Sequence, residues 1–371
     1  MTQLSSNTFK MLYIIAIFMI IDGHIGNFDY LNLHDLLRYQ NYHIALFIFT
    51  SGYFLNLTRS YGDFFKHKIK RLIIPLYLWN IFYGIVCYCL NNFMDFHIGD
   101  ELNIYNLLYA PLVDGHQFIY NMASWFLIPL FFVQAIAFLF LKPWTDKQNK
   151  PYLTNIIIFF CLSLFAGTIA LIIGPENNAN KNITLLIIRT FYFLPAYALG
   201  VLYRHKLEKY DTLNSPAYFF ILLSIISYLC ARYPGYNHIP SWLNEIYAPA
   251  PVIYTLSFCA ILFWLRIAKI LSPLLNKSAS LNYISNHTFD LMMHHFAGFM
   301  LIKAAFSGFA DFDHVAFKQN IWYYYFPVNE ELSTWFYIFI TIVIALFIGF
   351  TIDKIYDKIG KQIMIWRGFL R

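Results

Sequence analysis

Charged residues are scarce in this sequence. Asp, Glu, Lys and Arg make up 12% of the 371 residues, whereas apolar residues make up 59% and the mean hydropathy is +0.52. Because soluble domains are typically about 25% charged, this composition excludes a water-soluble enzyme or binding domain of useful size. The formal net charge of +6 indicates contact with anionic lipid or an anionic ligand at a membrane surface, and it gives no reason to expect nucleic acid.

Cysteine is also rare, and the chain has no internal repeat or low-complexity linker that would divide it. The five cysteines fall inside apolar runs, where a role as small hydrophobic residues is commoner than a disulfide or a metal site. We therefore expect no bound metal. A single integral-membrane domain over residues 1–371 is the simplest organisation, with a basic amphipathic cytoplasmic tail at 353–371.

Ten apolar runs are long enough to cross a hydrocarbon core of about 30 Å as helices. They do not alternate as the strands of a membrane barrel do. The predicted fold class is an all-α polytopic membrane protein with about ten transmembrane helices. The runs are Phe9–Gly26, Tyr42–Leu57, Leu72–Leu90, Ser124–Leu141, Leu153–Ile173, Ile183–Tyr203, Ala217–Ala231, Pro249–Ile267, His287–Ala305 and Ser333–Ile352.

The distribution of Lys and Arg predicts that both termini are cytoplasmic. With the N-terminus inside, 20 of the 26 Lys and Arg residues fall in inner segments, and every inner loop exceeds its outer neighbours. The first run is longer than a typical signal-peptide core and lacks a small-residue cleavage site, so we expect it to stay in the protein. The predicted location is the cytoplasmic membrane, crossed many times.

Five ionisable residues are predicted to lie within the spans or at their ends. A charged group at the centre of a membrane helix costs about 2.5–3.5 kcal/mol, so such groups often mark pathways or reactive sites. Asp22 and His24 end the first run, Arg189 lies in the sixth, and His294 and His295 lie in the ninth. Plainer interpretations stay open: water satisfies His24 at the interface, packing explains the histidine pair, and Arg189 pairs with Asp22 instead of stabilising an oxyanion.

A series of short segments follows the chain from the first span to the ninth: a helix ending in His24, then Phe47–Phe54, Phe64–Pro75, Trp125–Leu127 and Ile284–His295. In this order they resemble membrane acyltransferase family 3, near its polysaccharide and fucose-type O-acetyltransferase branch. The resemblance covers nearly the whole chain. It implies a membrane enzyme that transfers an acetyl group to a sugar hydroxyl of an envelope polysaccharide or a lipid-linked glycan.

The resemblance implies that acetyl-CoA is the acyl donor and that it binds on the cytoplasmic side. Lys68, Lys70 and Arg71 are the candidates for its phosphates, although such charges often serve topology alone. Most family members have Arg or Lys eleven residues before the first-helix histidine, where this chain has Tyr13. Lys10 lies one turn nearer the cytoplasm and is the candidate for that role.

His24 is the predicted general base or transient acyl carrier, because a neutral imidazole accepts a proton near neutral pH. The residues Asp22, Arg189, His294 and His295 are candidates for orienting a substrate or stabilising charge. The alternative is a polysaccharide exporter or flippase without acyl-transfer chemistry, in which the same polar groups line a conduit. Expected partners are a coenzyme A thioester, the glycan, membrane lipid and a second copy of the chain.

Two outer segments are candidates for holding the acceptor. Asn91–Ala123 has no Lys or Arg but contains acidic residues and histidines, and Trp322–Phe326 is wholly aromatic. Sugars are bound by stacking on rings and by hydrogen bonds to carboxylates. The plainer interpretation of the aromatic segment is a belt at the membrane interface.

Overall fold

The computed structural model describes residues 4–25, 36–148, 153–177, 182–211, 215–234, 241 and 248–369. This part of the chain is helical and contains no β-strand. The α-helices, numbered in chain order, are α1 Ser6–Gly23, α2 His43–Tyr53, α3 Tyr61–Lys68, α4 Ile74–Phe93, α5 Ala110–Val113, α6 Leu127–Gln148, α7 Leu153–Asn177, α8 Ile183–Leu202, α9 Pro216–Arg232, α10 Ala250–Leu271, α11 Leu274–Lys277, α12 Ala279–Asn286, α13 Thr288–Phe306, α14 His314–Gln319 and α15 Glu330–Phe369.

Each predicted apolar run coincides with one of these helices. Within the described residues, seven helical stretches are long and apolar enough to cross a membrane. The helices α2 and α9 are apolar but shorter, with 11 and 17 residues. The protein is therefore an all-α polytopic membrane protein, as predicted, whereas the number of crossings stays a prediction. The seven stretches are Ser6–Gly23, Tyr61–Phe93, Ile119–Lys147, Leu153–Pro175, Ile183–Leu207, Ala250–Lys277 and Leu332–Thr351.

The helix α1 runs in the same direction as α12 and α13. At one end, Lys10 Nζ donates to Asn282 Oδ1 at 3.2 Å, and at the other His24 meets His295. Because α12 precedes α13 with a break only at His287, His295 lies level with the C-terminal end of α1.

The basic segment before α4 is helical. Together, α3, a π-helical turn at Ile69–Ile73 and α4 form one continuous stretch, Tyr61–Phe93. The π turn contains Lys70 and Arg71, where the sequence had indicated a basic loop. Such turns are rare and occur frequently at functional sites.

The helices α2 and α8 pack backbone to backbone. A Cβ atom on Gly52 would lie 2.1 Å from the carbonyl oxygen of Tyr197, and one on Gly200 would lie 2.1 Å from that of Phe49. Small residues at this contact allow the close approach on which helix association in membranes depends. The contact fixes the position of α2, the short helix that follows a 3-10 helical turn at Tyr39–Asn41.

The segment after α4 folds back along that helix. Tyr77 Oη donates to the Leu108 carbonyl oxygen at 2.8 Å, and Asn80 Nδ2 donates to the carbonyl oxygens of Asn106 and Leu107. Tyr77 precedes the end of α4 at Phe93 by 16 residues, or about 24 Å of helix. Part of the predicted outer loop therefore re-enters the bundle. The hydropathy of the sequence did not indicate this.

The last helix, α15, continues without a break from the tenth apolar run to Phe369. The predicted tail at 353–371 is thus helical in backbone over its described part and is an extension of the last span.

Candidate active site

The centre of the site is a direct contact between two histidines from different helices. His24 follows the last residue of α1, and its backbone N–H donates to the Ile21 carbonyl oxygen at 3.3 Å. Its Nδ1 lies 3.1 Å from Nε2 of His295 in α13. The two rings are stacked, with centroids 5.0 Å apart. His24 is half-buried and His295 is fully buried.

The hydrogen bonds determine which nitrogen of each ring carries a proton. His295 Nδ1 lies 3.0 Å from the Leu291 carbonyl oxygen, and since a carbonyl only accepts, Nδ1 must donate. In the neutral ring, Nε2 is then an acceptor, and it receives the proton of His24 Nδ1. The His24 ring also contacts the Ile20 carbonyl oxygen, one turn earlier in α1, and with its proton on Nδ1 the ring keeps its lone pair on Nε2. His24 is therefore positioned to accept a proton.

An aromatic segment covers the solvent side of His24. Trp322 stacks on the His24 ring at 6.2 Å and Phe296 lies 4.7 Å from it. Tyr324 Oη donates to the His24 backbone carbonyl oxygen at 2.7 Å. The segment proposed from sequence for the acceptor thus lies directly against the predicted base.

A buried lysine holds this segment in place. Lys303 of α13 is 2% exposed, donates to the Ile321 carbonyl oxygen at 2.6 Å, and lies 4.8 Å above the Tyr324 ring. Outside the spans, Tyr325 donates to Asp311, and that hydrogen bond is the main cause that raises the pKa of Tyr325 to about 12. Because the phenol stays neutral near pH 7, the bond persists at working pH. No role was predicted for Lys303 from the sequence, although a lysine within an apolar run is a signal for a functional residue.

His294 faces another way than its neighbour. Its Nδ1 is 2.8 Å from Tyr83 Oη, and its ring lies edge-to-face on Trp79 at 4.3 Å. Asp290 precedes His294 by four residues, about one helical turn. In the structure, the Asp290 carboxylate packs where a Cβ of Gly349 in α15 would lie. The adjacent histidines consequently have separate environments, one against His24 and one against α4.

Arg189 lies near the start of α8 and is 1% exposed. Its Nε donates to the Ser241 carbonyl oxygen at 2.7 Å and its Nη1 to that of Asp114 at 2.9 Å. Asp114 also pairs with His116 at 3.0 Å. Asp22, the alternative partner considered from sequence, has a buried Oδ1 without a hydrogen-bond partner among the described residues. These contacts join the start of α8 to the segments that contain Ser241 and Asp114.

The predicted donor-binding residues lie at the other end of the molecule. Lys70 and Arg71 are exposed, Lys68 is half-buried with its ammonium 5.6 Å from the Phe64 ring, and Lys10 is held by α12. In the described part of the chain, neither Lys70 nor Arg71 pairs with a carboxylate. Like charges that are close together and unpaired favour an anionic ligand or lipid. No group of metal-ligating side chains occurs within the described ranges.

The model of acyltransferase family 3, described as an acyltransferase domain, matches residues 11–354. The chain belongs to this family. No curated protein and no solved structure matches it. Membership confirms the predicted family and an acyl-transfer activity, and it favours the enzyme over the exporter or flippase. Tyr13, where the family commonly has a basic residue, stacks on Phe47 at 5.3 Å.

Proposed function

We propose that this family 3 acyltransferase moves an acetyl group from cytoplasmic acetyl-CoA to a sugar hydroxyl of a cell-envelope polysaccharide or lipid-linked glycan. The observation that supports the proposal most is the contact between the two histidines, which leaves His24 Nε2 unprotonated. Transfer from a thioester to an alcohol needs a base at the attacking hydroxyl. His24 supplies that base, and His295 positions it.

In the proposed reaction, His24 Nε2 takes the proton of the sugar hydroxyl while the sugar oxygen attacks the thioester carbonyl carbon. The tetrahedral intermediate collapses by breaking the carbon–sulfur bond. The imidazolium then returns the proton to the thiolate, so coenzyme A leaves as a thiol and the sugar carries the ester. The acceptor atom of His295 keeps the His24 ring oriented throughout, as the third member of a catalytic triad does.

The donor has to reach His24 from the basic end of the bundle. Lys10 and His24 are 14 residues apart along α1, a distance of about 21 Å at 1.5 Å per residue. The phosphates of coenzyme A would bind the exposed cations near the π turn, and its uncharged pantetheine arm would pass between helices to the histidines. This arrangement places the charged end of the donor at the exposed cations and its uncharged end at the histidines.

The acceptor would approach from the opposite side. Trp322 is 49% exposed although it contacts the His24 ring, so part of its indole is accessible near the base. A sugar that contacts the exposed part of the indole would lie close to His24. The aromatic segment thus serves the acceptor in addition to any role at the membrane interface.

We expect replacement of Lys68, Lys70 and Arg71 together by Gln to weaken coenzyme A binding and raise the Michaelis constant for acetyl-CoA. The effect should be larger at low ionic strength, because salt screens exposed charges. Titration of the purified protein at several salt concentrations measures it. A matched triple Gln variant at Lys206, Lys209 and Lys269 is the control for general loss of positive charge. Equal donor affinity in wild type and the first variant at every salt concentration would contradict the assignment.

A further inference from the structure

A second group of polar side chains lies inside the bundle, on the re-entrant segment. Gln117 precedes the 3-10 helix Ile119–Phe126, which packs against both α4 and α13. Gln117 Nε2 donates to Asn80 Oδ1, and the Tyr120 ring lies 6.4 Å from that of Tyr83. Through Tyr83, which contacts His294, this segment adjoins the helix that positions the catalytic histidine.

Several polar atoms of this segment have no hydrogen-bond partner among the described residues, although they are buried. Neither amide atom of Asn121 has one, and this side chain is 2% exposed. The remaining members of the group are each 2% exposed or less: Gln117 Oε1, Tyr120 Oη, Ser124 Oγ and His294 Nε2. Native proteins rarely bury such atoms unsatisfied.

The position of this group at membrane depth limits what can satisfy its polar atoms. Irregular backbone at membrane depth is tolerated where it is enclosed by protein or lines a cavity. Gln117 contacts Asn80, which lies well inside the membrane-length stretch Tyr61–Phe93. We expect the unsatisfied atoms to be the hydrogen-bonding surface of a ligand site.

The chemistry and position of the group favour binding of the pantetheine arm of the donor over binding of its phosphates. All five side chains are uncharged and include both donors and acceptors, which suits amide groups. Asn80 and Tyr83 follow Arg71 by 9 and 12 residues, about 14 and 18 Å along the helix. The group therefore lies along the helix that leads from the cationic end of the molecule to His294, the neighbour of His295.

We propose that Gln117, Tyr120, Asn121, Ser124 and His294 form a binding pocket for the amide-bearing pantetheine arm and thioester of the acyl donor. The inference rests on the proposed function, because it takes coenzyme A as the donor. Asn121 is its central residue: its amide can donate to one carbonyl of the arm and accept from one N–H.

The test compares two ligands of purified protein, by calorimetry: coenzyme A, and adenosine 3′,5′-bisphosphate, which lacks the arm. Asn121→Ala should weaken coenzyme A binding by about tenfold, which is about 1.4 kcal/mol, and leave the bisphosphate unaffected. Ser124→Ala, which removes a single hydroxyl, should give the same pattern more weakly and covers the case in which Asn121→Ala does not fold. Asn92→Ala, at an exposed position on α4, is the matched control.

The outcomes separate this inference from the proposed function. Wild-type protein that binds neither ligand would overturn the proposed donor itself. Wild-type binding of coenzyme A that Asn121→Ala and Ser124→Ala both retain would overturn only the pantetheine pocket. A loss of affinity for the bisphosphate equal to that for coenzyme A would also overturn it, and so would an effect confined to the Michaelis constant of the sugar acceptor.

Discussion

The proposed role of His24 as a base depends on what its other ring nitrogen contacts. The sequence identifies His24 as an ionisable residue at the end of an apolar run, and it identifies His295 separately in a late helix. Their pairing could not be predicted, because it depends on the level of α13 relative to α1, which the preceding helix α12 sets. The tautomer follows only from the contact with the Leu291 carbonyl oxygen.

At the residue scale, we expect His295→Phe to lower the turnover number by about 100-fold, the scale of losing a positioned acid–base group. The ring keeps its packing against Phe296, but it no longer accepts from His24 Nδ1, so His24 is free to adopt the wrong tautomer. The Michaelis constant for acetyl-CoA and the thermal midpoint should change little. His287→Phe, at the break between α12 and α13 and bonded to the Tyr283 carbonyl oxygen, is the control. A parallel loss of stability in His295→Phe would indicate a packing role instead.

The elements show what hydropathy can predict and what it cannot. Ten apolar runs became ten helices because length and composition decide whether a segment is stable in hydrocarbon. The π turn at Ile69–Ile73 and the re-entrant Gln117–Ser124 region depend on contacts between distant segments, and no local pattern reports them. For the same reason, the buried polar group around Asn121 was not predicted.

At the element scale, the contact between α2 and α8 should be intolerant of any side chain. Gly200→Ala places a Cβ 2.1 Å from the Phe49 carbonyl oxygen, so the helices must separate, at a cost of about 1–3 kcal/mol. We expect a lower thermal midpoint in detergent. Gly62→Ala, where nothing lies within 4 Å of the new Cβ, should be neutral or slightly stabilising. Equal midpoints for both variants would show that the bundle relaxes freely here.

At the scale of the whole molecule, the proposed sides for donor and acceptor depend on the orientation of the protein in the membrane. The donor is cytoplasmic only if the basic end of the bundle faces the cytoplasm, which the 20 inner Lys and Arg residues among 26 predict. A reporter fused after Arg371 should be cytoplasmic, and a reporter inserted near Asp100 should be outside. Exposure of the C-terminal fusion on the outer face would reverse the assignment of donor and acceptor sides.

The most direct measurement of the central claim is the acetyl-transfer rate of His24→Gln. Gln keeps a hydrogen-bonding side chain but cannot accept a proton near neutral pH, so the protein should insert, remain folded and bind coenzyme A as wild type does. Transfer of labelled acetyl from acetyl-CoA to the glycan should fall by about 100-fold or more. Transfer at a near-native rate would contradict the assignment of His24 as the base.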